Sequence, residues 1–199
     1  MTVTFIRHGQ SYGNLSDTID TTVPGPELTD KGRKQATAVA AAWASAGFDC
    51  IFASDMTRTQ QTAAPLAKVL DEKVVVLPGV GELQAGIYQG TLKAEKIKDY
   101  LVAPTKWLDG DLDARIPGAE DGNEFDKRMD DALATIAADG CTKPAIFSHS
   151  ATITYWTILN TDAGKGRVAT GVNNTGYVII KGSPAAGWKL VKWSANPMS

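Results

Sequence analysis

The sequence predicts an α/β fold in three layers: a mostly parallel sheet of about six strands with helices on both faces. Two observations carry this. Short β-branched and aromatic runs alternate with segments of helical spacing, and strand-helix-strand order is what feeds parallel pairing. The last two runs instead alternate in the manner of strands about a Gly/Pro loop, which predicts a terminal antiparallel hairpin.

The first run, within Thr2 to Asn14, is a buried strand that stops at Arg7-His8-Gly9. A polar loop from Ser11 to Pro26 follows, then Thr29 as an N-cap with Asp30 in the first turn. Ala36, Val39, Ala40 and Trp43 recur at helical spacing between Lys31 and Ala46, and Gly47 ends that helix. Cys50 to Ala53 is a second strand, ending at Ser54-Asp55, and a helix over Thr57 to Leu70 follows. Pro65 within it predicts a kink or a break.

Lys73 to Leu77 is a third strand, leading to the loop from Pro78 to Glu82. Periodicity is weak from Leu83 to Gly122, where short helices and loops are expected to form a lid. A helix resumes over Glu124 to Ala138, with Phe125, Met129, Leu133 and Ile136 forming its core stripe. Pro144 to Ser148 is a fourth strand with His149 just past its end, and a helix follows from Thr152 to Leu159. The hairpin strands are Thr175 to Lys181 and Trp188 to Trp193.

At 199 residues the chain fits one domain with a real core. Hydrophobic residues make up 43% and charged residues 21%, an ordinary globular composition. A net charge of -2 without a basic run argues against nucleic acid or an anionic membrane as partner. No apolar stretch reaches the length of a membrane span, and no signal peptide is visible, so a cytoplasmic location is the default expectation. Cys50 and Cys141 lack CxxC spacing and read as two buried thiols.

Polar groups fall just beyond each of the first four strands. They are Arg7-His8, Ser54 to Arg58, Glu82 and Ser148-His149. In a parallel sheet the carboxyl ends share one edge, so these groups are expected to converge. Guanidiniums fork onto phosphate oxygens in a way Lys does not match. Nearby cations keep an imidazole neutral, as a nucleophile must be, and a carboxylic acid can protonate a leaving alkoxide.

With those residues in view, the chain resembles the histidine phosphatase superfamily, also called phosphoglycerate-mutase-like. Arg7-His8-Gly9 matches the RHG signature, and Asn14 sits where RHGxxxxN places its Asn. Leu28 to Ala36 is similar to the LTxxGxxQA helix start. Ser54, Asp55, Arg58, Thr59, Thr62 and Ala63 match SDxxRTxQTA. Glu82 with Gly86, Tyr88 and Gly90 resembles LxExxxGxWxG, with Tyr in place of Trp. Gly118-Ala119-Glu120-Asp121, with Phe125 and Arg128, is similar to GGES…F..R, and Ser148-His149-Ser150 stands in for SHG.

The resemblance implies that His8 attacks phosphorus and becomes a transient phosphohistidine. It implies that Arg7, Arg58 and His149 hold the phosphoryl oxygens, that Asn14 is a secondary phosphate contact, and that Glu82 is the general acid and base. No metal and no other cofactor is implied, and the expected partner is a small phosphorylated substrate. Oligomeric state is left open. The implied sheet sets the Ser54 and Ser148 strands side by side, which brings Cys50 near Cys141. A disulfide is then an expectation, and with it an oxidising, extracytoplasmic compartment.

Two departures stand out: Ser150 replaces the usual Gly, and LQAGIYQG alters the surroundings of Glu82. The expected activity is a metal-independent phosphomonoester phosphatase. A phosphoglycerate mutase is the alternative within the fold, though mutases generally carry longer insertions. An inactive phospho-ligand-binding module and a metallophosphatase are weaker alternatives. In the lid, Lys93, Lys96, Trp107 and Arg115 read as solvated charge and cap packing.

Overall fold

The computed structural model describes residues 1–198. Its strands are β1 (Thr2–Arg7), β2 (Cys50–Ala53), β3 (Val74–Val76), β4 (Pro144–Ser148), β5 (Gly176–Ser183) and β6 (Gly187–Pro197). The α-helices are α1 (Tyr12–Leu15), α2 (Asp30–Trp43), α3 (Thr57–Leu70), α4 (Lys93–Tyr100), α5 (Val102–Leu108), α6 (Gly122–Ala138), α7 (Ser150–Asn160) and α8 (Arg167–Thr170). The strands form one six-stranded sheet in the order β3-β2-β4-β1-β5-β6. The first four are mutually parallel, and β5 and β6 close one side as an antiparallel hairpin.

Strand alternation divides the core in two. Val3, Phe5, Phe52 and Ile146 face one side, against Phe125, Met129, Leu133 and Ile136 of α6 and Ile153 and Trp156 of α7. Ile6, Ile51, Ala53 and Phe147 face the other, against Val39, Ala40 and Trp43 of α2 and Ala63, Leu66 and Ala67 of α3. The result is the expected three-layer α/β/α arrangement. Burial of each such aliphatic or aromatic side chain contributes about 1.5–3 kcal/mol, so both faces are held strongly.

The helix starts follow their capping chemistry. The Thr29 hydroxyl accepts from Gly32 N at 3.0 Å and opens α2. Asp121 accepts from Glu124 N at 2.9 Å, and the Glu124 side chain returns to the Asp121 N–H, a capping box that opens α6 at Gly122.

Two sequence expectations change. Helix α3 runs unbroken across Pro65. A proline there removes one backbone donor, and the buried face formed by Thr62, Ala63, Leu66 and Ala67 holds the helix in place around it. Cys50 and Cys141 are a disulfide rather than two thiols, with Cα atoms 6.1 Å apart. Cys50 opens β2 and is paired with Pro144 of β4, so Cys141 arrives beside it just before that strand begins.

The segment from Leu83 to Gly122 contains α4 and α5. Trp107 of α5 is buried and stacks on Phe125 of α6, with ring centroids 5.3 Å apart. No helix is long and apolar enough to cross a membrane among the described residues.

Candidate active site

Sheet register brings the polar strand ends to one level. Arg7 pairs with Ser148, and Ala53 pairs with Phe147. His8, Ser54 and His149 therefore leave β1, β2 and β4 side by side. The loop carrying His8 is held on several sides. His8 N donates to Ser148 O at 3.0 Å, Gly9 N to Thr62 Oγ1 at 3.0 Å, and Asn174 Nδ2 to His8 O at 3.0 Å.

This loop rests directly on the N-terminal turn of α2. A Cβ built on Gly9 would lie 2.7 Å from Gly32 O, and one on Gly32 would lie 2.0 Å from Gln10 O. The two backbones approach too closely for any side chain, which is why both positions are glycine.

His8 is buried, and its Nδ1 lies 2.7 Å from Gly9 O. A carbonyl only accepts, so Nδ1 carries the hydrogen and Nε2 keeps its lone pair. Burial, then the charges of Arg58 and Arg7, push the His8 pKa well below the ordinary imidazole value. The ring is thus neutral near pH 7, with one tautomer and a free Nε2.

Three nitrogens of its neighbours are buried without a partner: Arg7 Nε, Arg58 Nη1 and His149 Nδ1. Another nitrogen of each side chain fixes it in place. Arg7 Nη1 donates to Val172 O at 2.8 Å, and Arg58 Nη2 to Asp20 O at 3.3 Å. His149 Nε2 lies 2.8 Å from Ser54 Oγ, and its ring centroid is 5.2 Å from that of His8. Burial, then Arg58 and His8, push the His149 pKa well below its ordinary value. Unsatisfied buried polar nitrogens are costly to a fold. Their clustering around His8 describes a place for a compact oxyanion.

Glu82 reaches the same pocket from the loop after β3. Its Oε1 accepts from Thr152 N at 2.8 Å, and its Oε2 from Ala151 N at 3.3 Å, both at the start of α7. Arg128 of α6 fixes that loop by donating to Gly79 O, Gly81 O and Glu82 O, while a half-buried ion pair joins it to Glu120 at 2.7 Å.

A cavity of about 240 Å³ opens over these groups, lined by Arg7, His8, Asn14, Arg58 and Glu82 among others. The Asn14 Oδ1 accepts from Ser11 N and Asn174 Nδ2, which leaves its amide N–H groups for the cavity. The predicted residues Arg7, His8, Asn14, Arg58, Glu82 and His149 are thus brought together. Lys93 departs from its sequence reading, because it lines the cavity from the first turn of α4. Burial lowers its pKa, opposed by Asp17. Asn174, which ties the His8 backbone to Asn14, had no motif to announce it. Among the described residues, Asp49, Cys50 and Cys141 form the one cluster with metal-ligand proximity, and the disulfide removes both thiolates from it.

Residues 3–196 match the family model described as histidine phosphatase superfamily, branch 1. The chain belongs to this superfamily. It is 39% identical over 214 aligned residues to PE-PGRS family protein PE_PGRS11 of Mycobacterium tuberculosis, covering 98% of this chain and 37% of that relative. The chain therefore spans little more than a third of that protein's length. It is 34% identical over 152 residues to the probable phosphoglycerate mutase GpmB of Yersinia enterocolitica, covering 74% and 68%.

Among solved structures, a mycobacterial glucosyl-3-phosphoglycerate phosphatase superposes with a TM-score of 0.80 at 23% identity, covering 98% of this chain and 99% of that one. A putative alpha-ribazole-5'-P phosphatase of Escherichia coli superposes with a TM-score of 0.78 at 17% identity, covering 100% and 98%. These likenesses establish the histidine phosphatase fold.

Proposed function

We propose that the chain hydrolyses small phosphomonoesters through a phosphohistidine on His8. The observation that carries this reading is a neutral imidazole with a free Nε2 beside Arg7, Arg58 and His149, each of which carries a buried nitrogen without a partner. In the first step His8 Nε2 attacks phosphorus, the P–N bond forms, and the ester P–O bond breaks. Arg7, Arg58 and His149 hold the equatorial oxygens, the main lever in phosphoryl transfer. Glu82 gives its proton to the departing oxygen. In the second step Glu82 takes a proton from water, the water oxygen attacks phosphorus, and the P–N bond breaks to release phosphate and neutral His8.

Residues 83–122 act as the lid in this reading. They contribute Lys93, Ile97, Tyr100 and Leu101 to the cavity wall. Lys93 adds a further cation to the cavity wall, which suits a leaving group carrying its own negative charge, such as the glycerate released from phosphoglycerate. The reaction uses no metal, since protein cations supply the charge stabilisation.

The identity to probable phosphoglycerate mutases favours isomerisation as the second reading. One assay separates the two. Purified protein is given 3-phosphoglycerate, glucosyl-3-phosphoglycerate and alpha-ribazole phosphate with a chelator present, and free phosphate and 2-phosphoglycerate are both quantified. Free phosphate as the main product supports the phosphatase. Isomer formed faster than phosphate is released transfers the conclusion to the mutase, and no turnover of any ester ends both.

A further inference from the structure

His149 is backed by two buried hydroxyls that the proposed reaction does not use. Ser54 Oγ lies 2.8 Å from His149 Nε2 and 2.8 Å from Thr59 Oγ1, and all three residues are fully buried. Met56 N also donates to Ser54 Oγ at 3.3 Å. Thr59 Oγ1 has another acceptor in Met56 O at 2.7 Å. On the far side of the ring, His149 Nδ1 has no partner.

Each hydroxyl has one hydrogen to give, so the chain runs in one of two directions. In the first, Thr59 donates to Met56 O, Ser54 to Thr59, and His149 Nε2–H to Ser54. That direction makes three protein hydrogen bonds and leaves Nδ1 a bare lone pair. In the second, Thr59 donates to Ser54, Ser54 donates to Nε2, and Nδ1 carries the hydrogen. One protein bond is given up, and a donor is presented at the ring nitrogen not held by Ser54.

An empty pocket favours the first direction by its bond count. An oxyanion reverses the preference. A bare Nδ1 beside a phosphoryl oxygen sets acceptor against acceptor, whereas Nδ1–H gives that oxygen a charge-assisted hydrogen bond. We propose that Ser54, backed by Thr59, is a positioning residue that selects the Nδ1–H tautomer of His149 when the phosphoryl group is bound. The two hydroxyls rotate, and the ring loses one proton from Nε2 to solvent and gains one at Nδ1. Its net protonation is unchanged. His149 thereby serves as a neutral donor.

The inference rests on the phosphatase reading, and its test is separable from that reading. The chain has two histidines, so imidazole nitrogen NMR of uniformly labelled protein resolves them, with His8→Ala identifying the His149 signals. Inorganic phosphate is the probe. Free protein is expected to show His149 protonated at Nε2 alone, and saturated protein at Nδ1 alone. Ser54→Ala is expected to abolish that exchange and to lower kcat by roughly tenfold to a hundredfold, with KM changed less. Thr59→Val should follow it in the same direction, and Thr59→Ser, which keeps the hydroxyl, should recover wild-type kcat.

Bound wild type with Nδ1 bare, or with both nitrogens protonated, overturns the proposal. So does Ser54→Ala with undiminished kcat. If Ser54→Ala does not fold, the Thr59 pair and the wild-type spectra decide. Wild type inactive on every phosphomonoester sinks the phosphatase reading instead.

Discussion

The Nδ1 of His8 stands 2.7 Å from the carbonyl oxygen of the next residue, Gly9, and this single contact sets which nitrogen faces the pocket. In the proposed reaction the attacking Nε2 needs its lone pair, and the contact with Gly9 O leaves that lone pair free without a separate base. His8→Ala should lower the turnover of a phosphomonoester by roughly ten-thousandfold or more. Label from a phosphorylated substrate, trapped by alkaline quench, should appear on wild type and be absent from the variant. Equal labelling of both would place the covalent intermediate elsewhere.

Arg58 has one nitrogen committed to Asp20 O and Nη1 left bare in a buried setting. Removing that donor should cost about a hundredfold to a thousandfold in kcat, the range seen for single donors to a developing oxyanion. Arg58→Ala should show this loss. Arg58→Lys should recover little, since an ammonium lacks the planar fork that lets one nitrogen anchor while another binds. Full recovery by lysine would reduce Arg58 to a point charge.

Both histidines carry a stability signature. Burial first, then Arg58, holds each native pKa well below its ordinary value, while the unfolded chain titrates near the ordinary imidazole value of about 6.5. Above that pH both rings are neutral in both states and contribute no slope. Below it the unfolded state binds protons that the native state refuses, so stability falls as pH falls. Each ring adds up to about 1.4 kcal/mol per pH unit until its native pKa is reached. Urea unfolding at pH 7.5, 6.0 and 5.0 should show this decline, and His8→Ala should halve the histidine part of it. Stability unchanged from pH 7.5 to 5.0 would contradict the buried neutral state.

Much of this arrangement was legible before any coordinates. Arg7, His8 and His149 lie at strand ends, Arg58 lies in the first turn of the helix that follows one, and parallel register alone brings strand ends together. The core stripe of α6 and the caps at Thr29 and Asp121 are local patterns, fixed by neighbours three and four residues away. Lys93 was misread because no local feature separates a lysine facing solvent from one facing a cavity; the fold of α4 over the pocket decides. Asn174 acts 166 residues from His8, across a pairing that no local pattern encodes. The disulfide followed only from the neighbour relation of β2 and β4, not from the spacing of the cysteines. Pro65 misled because tertiary packing outweighed a local propensity.

The seat of the His8 loop gives a prediction about stability and activity together. Gly32 lies in the first turn of α2, where a Cβ would sit 2.0 Å from Gln10 O. Gln10 is two residues from His8, and its carbonyl also accepts from Thr29 N at 2.9 Å. Gly32→Ala must therefore push the loop and the helix apart. Overpacking of this kind costs about 1–3 kcal/mol, measurable as a lower thermal midpoint. Because the loop carries His8, the proposed nucleophile, kcat should fall even at temperatures where the variant is fully folded. Gly164→Ala, at a glycine with nothing near its would-be Cβ and no positive φ, is the control for a simple glycine effect. A Gly32→Ala variant with wild-type kcat and midpoint would mean that the loop does not depend on this contact.

The disulfide should behave in the opposite way, mattering to the fold and not to the chemistry. Cys50 begins β2 and Cys141 precedes β4, so the bridge sits at the end of the sheet away from His8 and His149. It closes a sequence separation of 91 residues, and a loop of that size restricts the unfolded chain strongly. Replacing both cysteines by serine, or reducing the bridge, should lower unfolding free energy by about 2–4 kcal/mol. The carboxyl ends of β2 and β4 remain tied by their own pairing, Ala53 with Phe147, so His149 and Ser54 keep their places. kcat and KM at 25 °C should match the oxidised protein within about twofold, a margin near 0.4 kcal/mol in barrier height. A large loss of kcat in a reduced sample that remains fully folded would show that the far end of the sheet governs the pocket geometry.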